Sequence, residues 1–357
     1  MKNIAIVAGG DSSEYEVSLR SAKGLFDFID KDRYNLYTVV IRSGKWTVEL
    51  LVEEGDTPAD KNKTQNKKFS VTKIVEVDKN DFSIQVDGKK IKFDYVYNTI
   101  HGCPGEDGRL QGYFDLLHIP YSSSGVLASA LTFNKYFNNL FLKTQGVCVA
   151  DSIRIQNKFR KETTKTTETR ELSTINYTAE DIIHRLGLPV FVKPNDGGSS
   201  FGVTKVIEAS QLQPAVEKAF TEGQDVIIEC FIEGTEVTCG CYKTKTKEVV
   251  FPVTEVVPNN EFFDYNAKYN GEVQEITPAR ITDELTVAIQ QETLRIYDLI
   301  DARGIIRIDY IIPADKRPVL LDVNTNPGMT ESSFIPQQIK AAGLSIKEVL
   351  TDIIENR

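Results

Sequence analysis

The amino-acid sequence predicts an α/β protein with two or three domains. Its 357 residues exceed the length at which a single hydrophobic core stops growing. The chain opens with a buried strand at 3–8, a Gly9-Gly10 turn and a helix, which is typical of a doubly wound parallel sheet. From residue 188 onward, β-type runs such as PVFVK, VTKVI and DVIIECF dominate, and two helical stretches, 283–301 and 335–355, follow or interrupt them.

The first helix is predicted from apolar residues that recur at helical spacing, namely Leu19, Ala22, Phe26 and Ile29. Just before it, the motif GGDSSEYEVS carries Ser13 and Glu16 with the spacing of a capping box. Glu16 therefore has two interpretations. It is either a structural cap or a carboxylate that binds the ammonium group of a ligand.

Two segments of the first domain follow. Residues 52–92 are polar, but VTKIVEV and FSIQV alternate and VDGKK holds a turn signal, which predicts a surface hairpin.

The motif HGCPGEDGRLQG at 101–112 follows the apolar run DYVYNTI and contains four glycines. We therefore expect a turn at the carboxyl edge of a strand, where α/β proteins bind ligands. His101 is either a proton-transfer residue there or a hydrogen-bonded structural residue.

The centre of the chain contains a candidate nucleotide lid. The Thr/Lys/Glu-rich run at 157–174 predicts a surface loop. In FVKPNDGGSSFGVTKV (191–206) both flanks read as strands, which excludes a Walker A loop and a dinucleotide fingerprint, since both open a helix. Backbone N–H groups near Ser199, with Lys193 at the base, would cover phosphates. The alternative is an ordinary hairpin turn.

The run VIIECFIEGTEVT at 226–238 places Glu229 and Glu236 on either side of an apolar hinge that includes Phe231 and Ile232. Exposed backbone groups of such a hinge can bind the edge of an adenine, and a carboxylate can hold ribose hydroxyls. The alternative is a pair of solvated glutamates.

Two neighbouring strands carry the strongest local signal. In IIRIDYII (305–312), Arg307 and Asp309 share one face, and in VLLDVNTN, Leu320, Asp322 and Asn324 share one face. An antiparallel turn centred between residues 315 and 316 would set Asp309 opposite Asp322 and Arg307 opposite Asn324. Opposed carboxylates repel unless a cation lies between them, and the oxygen ligands suit Mg²⁺. The alternative, a solvated hairpin face, conflicts with the apolar residues around them.

Composition limits the partners. A net charge of −9 and no basic run with interleaved aromatics disfavour nucleic acid. Five cysteines without a CxxC pair and only three histidines predict a reduced, cytoplasmic chain without structural zinc. No signal-type segment and no run of 18 apolar residues are present in the sequence, so we expect no membrane association.

Taken in order, the motifs resemble those of the D-alanine–D-alanine ligases of the ATP-grasp superfamily over nearly the whole chain. The matching segments are GGDSSEYEVS, HGCPGEDGRLQG, IPYSSSGVLASALTFNK, LPVFVKPNDGGSSFGV, IIECFIEGTEVT, FFDYNAKY, IRIDY and DVNTNPGMT. The resemblance implies a three-domain enzyme with an N-terminal domain (1–125), a central domain carrying the lid (126–231) and a C-terminal domain carrying the metal site (232–357). ATP would lie between the last two.

The resemblance also implies a role for each matching residue in joining two D-alanines for peptidoglycan precursor synthesis. ATP phosphates would be bound by Lys135 and Lys193, adenine and ribose by Glu229, Phe231, Ile232 and Glu236, and two Mg²⁺ or Mn²⁺ ions by Asp309, Asp322 and Asn324. The first D-alanine would be bound by Glu16, with Tyr269 and Ser199 hydrogen-bonded to it, and by His101. The oxyanion would be held by Arg307 and the backbone of Gly328, and the carboxylate of the second D-alanine by Lys268 and Ser333.

Three positions depart from the family pattern. Asp322 replaces a common glutamate and reaches about one methylene less far. ESSF (331–334) lacks a histidine that many relatives have before the serine equivalent to Ser333, and Tyr15 replaces a frequent arginine.

Tyr269 favours D-alanine as the second substrate, because relatives that make D-alanyl-D-lactate lack this tyrosine. The alternatives are a ligase for D-lactate, D-serine or another amino acid, and a non-catalytic nucleotide-binding relative. A homodimer is a family expectation.

Overall fold

The structure is a computed structural model that describes residues 1–53, 70–156, 177–197, 201–258, 273–314 and 317–356. The loop predicted at 157–174 lies outside the described residues. So do Ser199, Lys268 and Tyr269 and the centre of the turn at 315–316. No helix in the described residues is long and apolar enough to cross a membrane.

The first sheet belongs to the N-terminal part of the chain. Its elements are β1 (Lys2–Gly9), α1 (Tyr15–Phe28), β2 (Tyr34–Arg42), β3 (Lys45–Glu53), β4 (Ser70–Asp78), β5 (Ser83–Val86), β6 (Lys89–Lys92), β7 (Tyr95–Asn98) and α2 (Arg109–Leu116). The strand order is β6-β5-β4-β3-β2-β1-β7. Strand β1 pairs in parallel with β2 and β7, and the strands from β2 to β6 pair antiparallel.

Strand β1 is buried on both faces, as its continuous apolar run predicts. Ile4 and Ile6 pack with α1 and the C-terminal helices, whereas Ala5 and Val7 pack with α2 on the other face. The α/β class is therefore confirmed, and the parallel strands form the centre of a mixed sheet. The predicted hairpin is present as β5 and β6, which pair antiparallel about Asp87 and Gly88, whereas residues 54–69 of that segment lie outside the described residues. Its surface placement was wrong, because Val75, Val77, Phe82 and Ile84 contribute buried side chains to the core of this sheet.

The second sheet has its own hydrophobic core. It follows α3 (Val126–Phe133) and α4 (Lys135–Thr144) and contains β8 (Ser152–Gln156), α5 (Ala179–Leu186), β9 (Val190–Pro194), β10 (Thr204–Val206), α6 (Leu212–Glu222) and β11 (Asp225–Cys230). The strand order is β10-β9-β11-β8, antiparallel throughout. Strands therefore flank the Gly/Ser loop on both sides, as predicted. The pattern did not indicate α6, which buries Leu212, Ala215, Val216 and Ala219.

The third sheet carries the predicted polar strand pair. Its elements are β12 (Thr235–Lys243), β13 (Glu248–Val250), β14 (Thr254–Pro258), β15 (Val273–Ile276), α7 (Asp283–Leu299), β16 (Gly304–Ile312), β17 (Val319–Asn324), α8 (Phe334–Ala341) and α9 (Ile346–Asn356). The order is β15-β14-β12-β16-β17, and β13 pairs with β12. The helix expected at 335–355 is divided into α8 and α9 by a turn in which Gly343 has a φ of +71°.

Two of the hydrophobic cores join distant parts of the chain. Val349, Leu350 and Ile353 of α9 pack in the same cluster as β1 and α1. Leu142 of α4 packs against the third sheet rather than the second. Helices α3 and α4 and the loop after β17 therefore lie at the junction of the three sheets. A cavity opens at this junction.

Candidate active site

A large cavity of about 1570 Å³ is lined by most of the residues that the motifs single out. The N-terminal part contributes the loops after β1 and β7, the second sheet contributes β9 and β11, and the third sheet contributes β12, β16 and β17. The predicted residues that line it are His101, Lys135, Lys193, Glu229, Phe231, Ile232, Glu236, Arg307, Asp309, Asp322, Asn324, Gly328 and Ser333.

The predicted register of β16 and β17 is confirmed. Asp309 lies opposite Asp322, and Arg307 lies opposite Asn324. The pairing then shifts, because Leu321 is an extra residue on β17. Leu320 is therefore buried in the core with Val323 rather than sharing the polar face, and Leu321 lines the cavity beside Asp322. The expectation for Leu320 was wrong because a bulge changes the alternation of the faces.

Asp309 accepts four hydrogen bonds from described residues. Arg307 donates to it through Nε and Nη2 at 2.9 Å each. Asn324 Nδ2 donates to Oδ2 at 3.0 Å, and Thr238 Oγ1 donates to Oδ1 at 2.7 Å. Arg307 also lies over the ring of Phe334, with its central carbon 5.2 Å from the ring centroid. These three side chains, through four hydrogen bonds, hold the Asp309 side chain in place in the cavity.

Lys135 crosses the cavity from the first turn of α4 to Asp322, and Nζ lies 2.7 Å from Oδ2. Asn195 anchors the start of this helix, because its backbone oxygen accepts from Lys135 N and its Oδ1 accepts from Tyr136 N. Burial alone would lower the pKa of Lys135, but the attraction and hydrogen bond of Asp322 outweigh it and raise that pKa. Lys135 is therefore a fixed, charged group.

The second sheet adds a similar pair. Lys193 Nζ on β9 lies 2.6 Å from Glu229 Oε2 on β11. Asn139 Nδ2 donates to the other oxygen of Glu229 at 3.1 Å. Next to this pair, the rings of Phe191 and Phe231 lie 5.9 Å apart, and the ammonium group of Lys205 lies 4.3 Å from the Phe231 centroid. This end of the cavity combines an apolar wall with paired charges.

The N-terminal loops close the opposite end. His101 is buried, and its Nε2 lies 3.2 Å from Ser21 Oγ on α1. Burial lowers the pKa of His101, which keeps the imidazole neutral near pH 7. Glu106 accepts from the backbone N–H of Gly102 at 2.7 Å, and burial raises the pKa of this carboxyl to about 8, with Glu14 adding to the shift.

Among these loops the structure corrects one prediction. Glu16 is exposed and does not line the cavity, whereas Glu14 is buried and does. Helix α1 begins at Tyr15 with Glu14 as its N-cap, and Ser13 makes no capping box with Glu16. Glu14 shares its side of the helix with Ser18 and Ser21, which are also buried. Polar side chains at i, i+4 and i+7 lie on one side of a helix, so this spacing in the sequence could have indicated that Glu14 faces the site.

Comparison with known proteins agrees with this geometry. The family model of the D-ala D-ala ligase N-terminus matches residues 3–124, and that of the D-ala D-ala ligase C-terminus matches residues 141–355. The chain belongs to the D-alanine–D-alanine ligase family. It is therefore an enzyme of the ligase class, and the predicted family, function and ATP-grasp fold are confirmed.

Individual relatives support the same assignment. A D-alanine–D-alanine ligase of Parabacteroides distasonis is 59% identical, and the match covers 99% of this chain and 97% of the relative. The solved structure of the VanG D-Ala:D-Ser ligase from Enterococcus faecalis is 32% identical, with a TM-score of 0.77 and coverage of 99% and 98%. A D-alanine–D-alanine ligase from Bacillus anthracis complexed with ATP is 23% identical with a TM-score of 0.70, over 100% and 96% of the two chains, and shows the fold.

Sequence reasoning missed several residues that the structure brings into the site of this family member. Thr238 and Asn139 bind two of the predicted carboxylates, and Glu106 and Glu275 line the cavity. Glu106 lies within the HGCPGEDGRLQG motif. The motif indicated a ligand-binding loop, but only His101 was predicted as its functional residue. Thr238, Glu275 and Asn139 lie in ordinary strand or helix patterns, and nothing in those patterns indicates that the side chains face a polar cavity.

Proposed function

We propose that this chain joins two D-alanines into D-alanyl-D-alanine with the hydrolysis of ATP to ADP and phosphate. One observation carries the proposal. Arg307, Asp309, Asp322 and Asn324 lie together on two paired strands and face Lys135 in a cavity that reaches the loop of His101. Carboxylates, fixed cations and a neutral histidine in one enclosed site suit phosphoryl transfer followed by acyl transfer.

ATP would lie between the second and third sheets. Lys135 and Lys193 supply positive charge for its phosphates, and their fixed positions cost little reorganisation when the nucleotide binds. Phe231 and Ile232 supply the apolar wall for adenine, and Glu229 and Glu236 supply acceptors for its amino group and for the ribose hydroxyls. ATP binding to Lys193 would loosen its ion pair with Glu229.

Asp309, Asp322 and Asn324 fit a site for Mg²⁺ or Mn²⁺, because they present oxygen atoms and two opposed carboxylates. Bound there, two such ions would neutralise charge on the phosphates. Within the described residues, no group of three His, Cys, Asp or Glu side chains forms a metal cluster, so the amide oxygen of Asn324 has to complete the ligand set. Arg307 and Lys135 balance the charges of Asp309 and Asp322, respectively.

The first D-alanine would bind at the end formed by the N-terminal loops. Glu14 replaces Glu16 as the carboxylate for its ammonium group, since Glu14 is the buried cavity residue. His101 would hydrogen-bond the substrate as a neutral imidazole, oriented by Ser21. Tyr269 and Ser199, which lie outside the described residues, stay predicted partners of this carboxylate.

The chemistry has two steps. A carboxylate oxygen of the first D-alanine attacks the γ-phosphorus of ATP, the bond to ADP breaks, and an acyl phosphate forms. The amine of the second D-alanine then attacks the acyl carbon and phosphate leaves. Arg307 and the backbone N–H of Gly328 stabilise the oxyanion of this step, and Ser333 with Lys268 takes the carboxylate of the second D-alanine. Lys268 also lies outside the described residues.

Product identification tests the proposal. The purified protein would be incubated with ATP, Mg²⁺ and D-alanine, and then with D-serine or D-lactate added as the second substrate. We expect phosphate release and a D-alanyl-D-alanine mass. No phosphate release with D-alanine would refute the proposal, and ATP binding without turnover would indicate a non-catalytic relative. A dominant D-alanyl-D-serine product would favour the second candidate, which the 32% identity to a D-Ala:D-Ser ligase supports.

Two further expectations belong to this proposal. A homodimer is expected from the family, and light scattering coupled to size-exclusion chromatography measures it. A cytoplasmic location fits the five free cysteines among the described residues and the use of ATP. Fractionation of cells that express the tagged protein tests the location.

A further inference from the structure

Glu275 is a cavity residue for which the proposed mechanism has no role. It lies on β15 opposite Val256 of β14, at the edge of the third sheet, and lines the cavity together with Arg307, Ser332, Ser333 and Phe334. Among the described residues its hydrogen bond comes from a neutral group, because Gln337 Nε2 donates to Glu275 Oε2 at 2.5 Å. Asp309, Asp322 and Glu229 differ, since each of these meets a cation.

The surroundings place Glu275 beside the proposed site of the second substrate. The amide group of Gln337 that holds Glu275 also donates to the backbone oxygen of Ser332, at 2.8 Å, and Ser333 follows directly. Arg307, the proposed oxyanion residue, attracts the Glu275 carboxylate and stacks on Phe334 at the start of α8. Glu275 therefore lies on the side of the cavity where the amine must approach the acyl carbon.

The charge of Glu275 matters for what can bind there. Among the described residues, the group hydrogen-bonded to this partly buried carboxylate is a neutral amide, and Arg307 attracts it only through space. Burying its charge is costly, so the carboxylate favours a further cationic ligand. The second amino acid brings an ammonium group, whereas a hydroxy acid brings a neutral hydroxyl. An anionic wall thus favours the amino acid over the hydroxy acid.

We infer that Glu275 binds the ammonium group of the second amino acid and so selects an amine over a hydroxyl as the attacking group. The inference rests on the proposed function. As the amine attacks, one ammonium proton passes to a Glu275 carboxylate oxygen, the C–N bond forms at the acyl carbon and the C–O bond to phosphate breaks. The second nitrogen proton leaves with the phosphate, and Glu275 later returns its proton to solvent.

Glu275→Gln tests this inference, because the amide oxygen still accepts from Gln337 while the charge is lost. We expect the KM for the second D-alanine to rise by about tenfold or more, the size of one hydrogen bond to a charged group. The KM for ATP and for the first D-alanine should stay the same. With D-alanine and D-lactate supplied together, the share of D-alanyl-D-lactate should rise. Glu275→Asp, which keeps the charge at a shorter reach, should give intermediate values.

Gln337→Leu is the matched control. It removes the hydrogen bond but keeps the carboxylate, so the product ratio should stay close to that of the wild type if the charge is what selects the amine. An active wild type with Glu275→Gln unchanged in KM and in product ratio would overturn the inference alone. A wild type that forms no dipeptide would overturn the proposed function and the inference with it. Thermal unfolding shows whether each variant is folded. If Glu275→Gln does not fold, the KM and the product ratio of Glu275→Asp test the inference instead.

Discussion

Asp309 and Asp322 lie opposite each other on β16 and β17, and a different cation holds each carboxylate. Arg307 approaches Asp309 along its own strand, and Lys135 reaches Asp322 from α4. The protein thus balances two opposed negative charges with two side chains that are also the proposed contacts for substrate. Binding of metal and of nucleotide would both act on the same four residues.

Asp309→Asn should strongly reduce turnover while the protein stays folded. The asparagine keeps one oxygen for Thr238 but loses the charge that a divalent cation needs. We expect kcat to fall on the order of 10²-fold or more, because a bound metal contributes several kcal/mol of transition-state stabilisation. Phosphate release and circular dichroism measure the two effects. The exposed Asp298, which binds Lys243, offers the control Asp298→Asn, and unchanged turnover in Asp309→Asn would refute the metal assignment.

Asp322→Asn should destabilise the protein even without ligands. It leaves the Lys135 ammonium group in a confined site without its counter-charge, so the pKa of Lys135 should fall. We expect the free energy of unfolding to drop by about 2 kcal/mol, below the range for fully buried pairs because the cavity admits solvent. Urea unfolding with a chelator present measures this drop. Glu292→Gln, which breaks the more exposed pair with Arg295, should cost less, and equal losses would contradict the account.

Glu106→Gln should change the pH dependence of stability. Burial raises the pKa of Glu106 from 4.5 to about 8, so between these values the folded protein keeps a proton that the unfolded chain releases. This carboxyl therefore lowers stability progressively as pH rises from about 5 to 8. Relative to the wild type, the variant should gain on the order of 4 kcal/mol between pH 5 and pH 9, because each pKa unit corresponds to about 1.4 kcal/mol. A constant difference between the two unfolding free energies across that range would contradict the raised pKa.

Gly24→Ala tests the packing that positions the loop after β17. A Cβ on Gly24 of α1 would lie 2.3 Å from the backbone oxygen of Met329, next to Gly328. The loop has to move, which should cost about 1–3 kcal/mol in unfolding free energy and raise the KM for D-alanine. Gly112→Ala on α2 is the control, because its Cβ would meet Val126 at an ordinary 3.8 Å. Equal stability and KM in the two variants would count against this role for Gly24.

The sequence allowed the polar strand pair to be predicted residue by residue. Short antiparallel strands on either side of one turn have few registers, and only one brings Asp309 to Asp322 and Arg307 to Asn324. The bulge at Leu321 was not predictable, because Leu320 and Leu321 are both leucines and either could face the core. The buried edge of the first sheet was missed for a related reason, since its strands carry many polar residues on the solvent face.

The choice between Glu14 and Glu16 shows where sequence patterns become ambiguous. The capping-box spacing favoured a helix that begins near Ser13, whereas α1 begins at Tyr15. That shift of the helix start turns Glu16 to solvent and leaves Glu14 in the cavity. Long-range pairs such as Lys135 with Asp322, 187 positions apart, follow from how the sheets pack and have no local signal.

Transfer of oxygen from substrate to phosphate tests the central claim most directly. D-Alanine with both carboxylate oxygens replaced by ¹⁸O would be supplied with unlabelled ATP and Mg²⁺, and the released phosphate analysed by mass spectrometry. An acyl phosphate intermediate predicts one ¹⁸O atom in the phosphate for each dipeptide formed, because the attacking carboxylate oxygen leaves with the phosphorus. Dipeptide formation with unlabelled phosphate would contradict the mechanism proposed for this site.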